Sequence, residues 1–377
     1  MIAEHLLSTD DQDAWRAYLP ERRSVFGSLG YARICQAHRN FSPRLYVLES
    51  GEAAISYALL FRSLTGLPFR GETSVKWDAA TPDFTGPLMS GSDSRLAAAF
   101  PGLRNALFEK EGVVAEFGHL HPWSQARALL QEGCDYNRDI VWVDTSRSPE
   151  VLWHEHLAPA CRRNISRAGR EGVRILTASC DEHVREFYRI YSHTMSRNDA
   201  EAGYYFSYKF FRAFREELPE NSSFFLAEYR DQIVAGALCL HDDTDAFYFL
   251  AGADAVFQHV RPMNAVIWEL IRWAHGAGKK RLVLGAGYRP NDGVVRFKST
   301  FSHLRQPFYI YKHVHLRQDY SLLERRFREF SGLTTESVGY FPIYRYRPRA
   351  MDASTSEREV SHNRLAEMRE EGGTDLG

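Results

Sequence analysis

The sequence predicts a mixed α/β protein made of two tandem, similarly ordered units, each a largely antiparallel sheet flanked by helices. Three observations predict it. The chain has 377 residues, 44 % of them hydrophobic, which is long for one domain and sufficient for two cores. Residues 47–60 read as strand, tight turn, strand, and residues 226–239 read the same way at the same length. In both halves this hairpin follows helical segments and precedes one more strand, a helix, and a short apolar strand after a glycine.

In the first half the helix falls within residues 93–110 and the following strand at 113–117. The second half opens at Ser148-Pro149-Glu150: a capping Ser, a Pro at the first helical position, and an acid near the positive end of the dipole. Trp153, Leu157, Cys161 and Ile165 follow as one apolar stripe, with Pro159 expected to kink the helix and Gly172 to end it. Asp181 opens an amphipathic helix carrying Val184, Phe187, Tyr188, Tyr191 and Met195, and Phe210, Phe211, Phe214 and Leu218 mark another. Strands follow at 223–229, 232–240 and 245–251. A helix comes next at 262–275, begun by Pro262 and ended by Gly276 and Gly278, then strands at 281–284 and 308–314. These readings divide the chain into residues 1–147, residues 148–350, and a tail, residues 351–377. The tail holds seven acids and three Arg with almost no large apolar residues, which predicts disorder.

The net charge of −1 excludes a polycation, no apolar run reaches the length of a membrane span, and the N-terminus lacks a basic-then-apolar leader. The expectation is a soluble, cytoplasmic chain. Five scattered Cys without a CxxC pair, and 15 His without HExxH, argue against a disulfide framework or a metal site.

Four segments carry possible chemistry. Arg162, Arg163, Arg167 and Arg170 lie opposite the apolar stripe of their helix with few acids beside them. Guanidinium forks of this kind suit phosphates, and a solvated helix face remains the other reading. Before the helix at 262, an acetyl-CoA enzyme of this layout would need glycines to cradle a pyrophosphate. Pro262 removes an amide, and no Gly lies between Asp254 and Gly276, so acetyl-CoA is not expected. Residues 76–87, with Asp78, Asp83, Gly86 and two prolines, form a long connector able to shape a pocket. Finally, the Gly-rich loop from Gly285 to Val295 delivers Lys298, between Phe297 and Phe301, just before the last strand, as a cation in a low-polarity setting.

These segments, in this order, resemble the Fem family of aminoacyl-tRNA-dependent peptidyltransferases with tandem acetyltransferase-like (GNAT) domains. Arg162-Arg163-Asn164-Ile165-Ser166-Arg167-Ala168 is similar to the helix opening that family's second domain, and Ser196-Arg197-Asn198-Asp199 to its Arg-Asp turn. Ala251-Gly252-Ala253-Asp254 with Pro262-Met263-Asn264 is similar to its entry to the crossover helix, and Gly285-Ala286-Gly287 with Phe297-Lys298 to its catalytic-lysine region. Thr85-Gly86-Pro87 resembles its Gly-Pro loop, and Phe26-Gly27-Ser28-Leu29-Gly30-Tyr31 its N-terminal helix start.

The resemblance implies amide formation between an amino acid from aminoacyl-tRNA and the amine of a peptide or peptidoglycan-precursor acceptor. It implies no cofactor, catalysis by Lys298 and Phe297, and substrate contacts at Arg197, Asp254, Asn264 and Gly86. The tRNA phosphates would meet Arg162, Arg163, Arg167 and Arg170. Members with UDP-linked acceptors carry a Lys in the first N-terminal helix. Residues 31–36 have none, leaving Arg33 or Arg39 as substitutes. Two other readings stay open: an acyl-CoA-dependent N-acyltransferase, and a non-catalytic nucleic-acid or nucleotide-binding module.

Overall fold

The computed structural model describes residues 2–287, 292–333 and 339–347. The 351–377 tail, and residues 288–291 of the loop before Lys298, lie outside the described residues. In chain order the first half contains β1 (Ala3–Leu7), α1 (Gln12–Tyr18), α2 (Leu29–Arg39), β2 (Ser42–Ser50), β3 (Ala53–Ser63), β4 (Trp77–Ala80), β5 (Leu88–Ser90), α3 (Ser94–Glu111), β6 (Val113–His119), α4 (Ala126–Leu130) and β7 (Cys134–Asp144). The second contains α5 (Pro149–Val151), a π-turn (Leu152–His156), α6 (Pro159–Arg170), β8 (Arg174–Thr177), α7 (Asp181–Arg197), α8 (Tyr208–Glu217), β9 (Ser222–Tyr229), β10 (Gln232–His241) and β11 (Asp245–Ala253). A 3₁₀ turn (Ala255–Val260), α9 (Pro262–Gly276), β12 (Arg281–Gly285), α10 (Gly293–Ser299), β13 (Arg305–Val314) and α11 (Arg317–Ser331) complete it.

One sheet runs through both halves in the order β1-β2-β3-β4-β6-β13-β7-β12-β11-β10-β9-β8, with β5 pairing β3. Read inward from each edge, the two halves match. The hairpins β2–β3 and β9–β10 hold equivalent places, and the two parallel pairs, β4·β6 and β11·β12, follow them. The repeated hairpin in the sequence therefore marks a repeated topology. The cut at 147/148 is not followed by the sheet. Strand β7 pairs with β12 of the second half, and β13 pairs with β6 of the first. The halves exchange these strands across the central β13·β7 ladder.

The helix expected from Ser148 is instead three pieces. Ser148 caps it, accepting from Val151 N at 3.4 Å. At Pro159 the chain restarts rather than kinks: Ala158 is extended (φ −58°, ψ 145°) and Pro159 takes the first position of α6. A proline disfavours helical geometry in the preceding residue yet suits the first turn, so the break falls just before it. The chain closes on itself with Leu157 N to Leu152 O, and Ala158 N reaches Thr300 O at 2.9 Å.

The core has a face on each side of the sheet. Helix α3 covers Tyr46, Ile55, Tyr57 and Phe61 in the first half, and α9 covers Ala235, Ala237 and Leu282 in the second. On the opposite face, Tyr31 and Ile34 of α2 pack with Phe187 and Tyr191 of α7 and Phe211 and Phe214 of α8 in one cluster. That shared aromatic core fixes the halves against each other.

Candidate functional site

The site begins where β11 and β12 part. They pair in parallel only from Asp245↔Arg281 to Phe247↔Val283. Strand β11 continues to Ala253 against β10, while β12 ends at Gly285, whose φ of +76° turns the chain away. A wedge opens between them. Helix α7 lies against β11 at Gly252, where an added Cβ would meet Tyr191 Cα at 2.8 Å, so this approach requires glycine. Its last turn is tied to the strand end. Thr194 Oγ1 accepts from Ala253 N at 3.0 Å, and Arg197 Nη1 donates to Ala253 O at 3.0 Å.

The far wall is α10. Asp292 caps it, accepting from Val295 N at 2.8 Å. The sequence placed Phe297 and Lys298 at the end of a loop. They lie instead on this short helix, because Asp292 supplies a cap that ends the Gly-rich turn. Phe297 packs edge-on to Phe301 with ring centroids 5.4 Å apart. The Lys298 ammonium donates to Ala286 O at 2.7 Å and stands 5.7 Å from the Tyr248 ring centroid. Burial pushes its pKa down to about 8, and Asp292 nearby opposes that shift. The sequence offered no cause for a lowered lysine pKa; burial in this wedge supplies one.

The wedge is a cleft of about 520 Å³. Tyr191, Met195, Tyr204, Tyr248, Met263 and Phe297 line it, and its polar side chains include Thr194, Arg197, Asn198, Gln258 and Lys298. Among the described residues its lining side chains include no carboxylate. Such a site favours developing negative charge and disfavours a second cation. Among the described residues no cluster of three or more His, Cys, Asp or Glu could hold a metal, and no helix is long and apolar enough to cross a membrane.

Of the residues singled out from sequence, Lys298, Phe297 and Arg197 meet in this cleft. Asp254 follows β11 and caps the 3₁₀ turn, accepting from Val256 N at 2.9 Å. Asn264 is buried at the start of α9, where its amide donates to Cys161 Sγ at 3.7 Å and ties α9 to α6. Gly86 lies in the first half with φ +136°, where a Cβ would come within 2.6 Å of Ala126 Cβ.

The Arg run divides. Arg162 Nη1 donates to the carbonyls of Trp153, His154 and Leu157 at 2.9–3.1 Å, holding the π-turn. Arg167 pairs with Glu171 at 3.6 Å. Arg163 and Arg170 are exposed. The turn into α9 uses its own amides: Val256 N, Phe257 N, Arg261 N and Asn264 N all bond within residues 254–264. Sequence reading missed Tyr248, Thr194 and the Ala253 carbonyl, since neither a strand aromatic nor a helix Thr signals a site without the wedge.

Residues 159–299 match the model of an acetyltransferase (GNAT) domain. No curated protein matches the sequence. The fold is similar to the crystal structure of FemX, with TM-score 0.64 and 11 % identity, covering 85 % of this chain and 99 % of that one. It is also similar to the C-terminal domain of a putative lysylphosphatidylglycerol synthetase from Agrobacterium fabrum (TM-score 0.53, 14 % identity, 85 % and 98 % covered). A conserved protein of unknown function from Bacteroides thetaiotaomicron is similar as well (TM-score 0.54, 13 % identity, 83 % and 99 % covered). At these identities the likeness is one of fold. The chain is a mixed α/β protein whose fold is similar to that of FemX, and residues 159–299 of its second half match the acetyltransferase (GNAT) domain model.

Proposed function

We propose that the protein transfers an aminoacyl group from aminoacyl-tRNA to the amine of a peptide or peptidoglycan-precursor acceptor, with the second-half cleft as the transfer site. The observation that carries the reading is Lys298: a cation held by Ala286 O in the wall of a cleft whose lining side chains, among the described residues, include no acid. The amine nitrogen attacks the ester carbonyl, the tetrahedral intermediate collapses, and the ribose hydroxyl leaves with the proton lost by the amine. The donor is already an ester, so no enzyme nucleophile is needed. The Lys298 ammonium stabilises the oxyanion, an effect worth about 3 kcal/mol or more at comparable sites. Phe297 shapes the pocket, and Arg197 offers its remaining donors to phosphate or carboxylate.

Two features support tRNA over a CoA thioester as donor. The turn before α9 starts from a left-handed Arg261 (φ +58°) and Pro262, and its amides bond internally. Arg163 and Arg170, seven residues apart on one face of α6, are exposed, which leaves their guanidinium forks able to meet phosphates. The acetyltransferase-model match favours the second reading, acyl transfer from CoA. Turnover with a panel of charged tRNAs against acetyl-CoA, using cell-wall precursors and small peptides as acceptors, separates them. Transfer from acetyl-CoA alone would sink the tRNA reading.

A further inference from the structure

Strand β11 breaks its simple alternation where it enters the cleft. Leu238 pairs with Leu250 and Cys239 with Tyr248, so Phe249 is the extra residue of a bulge. The bulge sends two successive side chains to one side. Phe249 and Leu250 both join the aromatic cluster shared by α2, α7 and α8, while Tyr248 packs with the core under α9. The cleft lining divides in the same way. Tyr191, Met195, Phe249 and Leu250 form its α7 side. Tyr248, Met263 and Phe297 form its α9 side, where Lys298 stands 5.7 Å from the Tyr248 ring centroid.

The α7 side is apolar in its free groups as well as in its residue types. The Tyr191 hydroxyl donates to Tyr204 O at 2.9 Å. The Thr194 hydroxyl donates to Ile190 O at 2.8 Å and accepts from Ala253 N. The Tyr205 hydroxyl donates to Met195 O at 3.3 Å, which with the Tyr191 bond fastens the turn Ala202–Tyr204 onto α7. Tyr204 is thereby held as the outer wall of the cleft and is 38 % exposed. Arg197 and Asn198 follow at the exposed end of α7. What this side presents inward is ring, thioether and branched aliphatic surface.

We propose that the α7 side is the pocket for the side chain of the transferred aminoacyl group, and that it selects large apolar side chains over small or cationic ones. The proposal rests on the transfer reading above: with the ester carbonyl at Lys298, the side chain has the rest of a cleft of about 520 Å³ to enter. A glycyl or alanyl group leaves the ring and thioether walls uncovered. A leucyl, methionyl or phenylalanyl group covers them, and a difference of a few methylenes in such a pocket discriminates by about tenfold or more. A lysyl group brings a further cation beside Lys298 and Arg197, where, among the described residues, no lining carboxylate receives it. The α-amine is common to every aminoacyl group and does not bear on the choice among them.

Unreactive amides test the pocket apart from catalysis. 3′-Amino-3′-deoxyadenosine acylated on its 3′ nitrogen with L-phenylalanine, L-leucine, L-alanine or L-lysine mimics the charged tRNA end without a leaving ester. In calorimetry on the full chain, the phenylalanyl or leucyl amide should bind about tenfold or more tighter than the alanyl and lysyl amides. Tyr204→Ala, on the exposed edge, should cut the phenylalanyl-to-alanyl ratio about threefold or more. Met195→Glu should shift the ranking toward the lysyl amide. If Met195→Glu fails to fold, the Tyr204→Ala ratio decides. Single-turnover transfer from the four matching charged tRNAs should follow the same ranking. Equal binding of the four amides, a preference for the alanyl or lysyl amide, no saturable binding, or an unchanged ratio in Tyr204→Ala overturns the proposal. Size-ranked amide binding without transfer from any charged tRNA counts against the transfer reading and leaves the pocket standing. Transfer that favours alanyl-tRNA does the reverse.

Discussion

In the first half, the parallel pair β4·β6 does not stay open. Beyond Ala80, Thr81 N bonds to Phe117 O at 2.9 Å, and Thr85 forms a further parallel bridge to Leu120. In the second half, β11 and β12 separate after Phe247 and Val283, and no further pairing joins them among the described residues. The same strand order thus yields one closed wedge and one open wedge. The faces under the crossover helices differ as well. Strand β12 turns Leu282 and Leu284 into an apolar core with α9. Strand β6 instead buries Glu116, which accepts from Tyr57, lies 3.0 Å from His315 Nε2 and 3.7 Å from Arg104 Nε of α3. A duplicated scaffold can hold an open cleft in one copy and buried structural polarity in the other.

The largest expected effect on stability lies in the closed half. Burial would raise the Glu116 pKa, but Arg104, His315 and Tyr57 hold it at about 2. This carboxylate therefore contributes stability that is present above the ordinary Glu range near 4.5 and is lost as pH falls towards 2. Glu116→Gln leaves Arg104 buried without its partner. It should lower stability by about 3–5 kcal/mol and flatten the acid limb of a pH–stability profile. Turnover per folded molecule should stay near normal. A large turnover defect in stably folded Glu116→Gln would mean that the two halves are chemically coupled.

Next comes the wall of the open wedge. Gly252→Ala sets a Cβ against the Tyr191 backbone and should cost about 1–3 kcal/mol while displacing Thr194 and Arg197. Gly276→Ala, with open space around it, is the control and should be neutral or slightly stabilising. Thermal melts and transfer rates on both variants check this pair.

The Arg run should split in the same way. Arg162→Ala removes donors from three carbonyls and should destabilise by about 1–3 kcal/mol. Arg163→Ala with Arg170→Ala should leave the melt within about 0.5 kcal/mol. If these two meet tRNA phosphates, the double variant should reduce the salt slope of tRNA binding by up to about 2. An unchanged slope returns them to an ordinary solvated surface.

The sequence made the repeat legible because hairpin periodicity and helix caps are local signals. Both hairpins, α3, α9 and β12 stand within a few residues of their expected places. Three features were not legible. The exchange of β7 and β13 depends on which strands meet across the sheet, and no local pattern encodes that. Pro159 reads as a kink until one sees that Ala158 is extended. Lys298 and Arg197 were found through motifs of the family resemblance; other motifs of the same resemblance supplied Asn264 and Gly86, which the fold sets in packed positions outside the cleft lining. A motif supplies residue types; the wedge decides which of them face a ligand. The cause of the lowered Lys298 pKa is also tertiary, since burial arises only where β11, β12 and α10 converge.

The pH dependence of stability and transfer is a sign test of the role of Lys298. Burial lowers its folded pKa to about 8 from 10.5, so below about pH 8 the charged side chain opposes folding, and that penalty fades as pH rises through 10.5. Lys298→Met should accordingly raise stability at pH 7 by up to about 3 kcal/mol. In the native protein, transfer should fall as pH rises through about 8 if the ammonium form acts, and rise if the neutral amine acts as a base.

The central claim is that the open wedge is the transfer site and that the Lys298 charge acts in its transition state. Single-turnover acyl transfer by Lys298→Met, with donor and acceptor binding measured separately, tests it most directly. The account predicts a folded, substrate-binding enzyme whose rate falls by about two to three orders of magnitude, with little change in affinity. Lys298→Arg should recover little of it, because a planar fork places its charge elsewhere. A Lys298→Met enzyme with near-normal turnover would contradict the account and remove the reaction from this cleft.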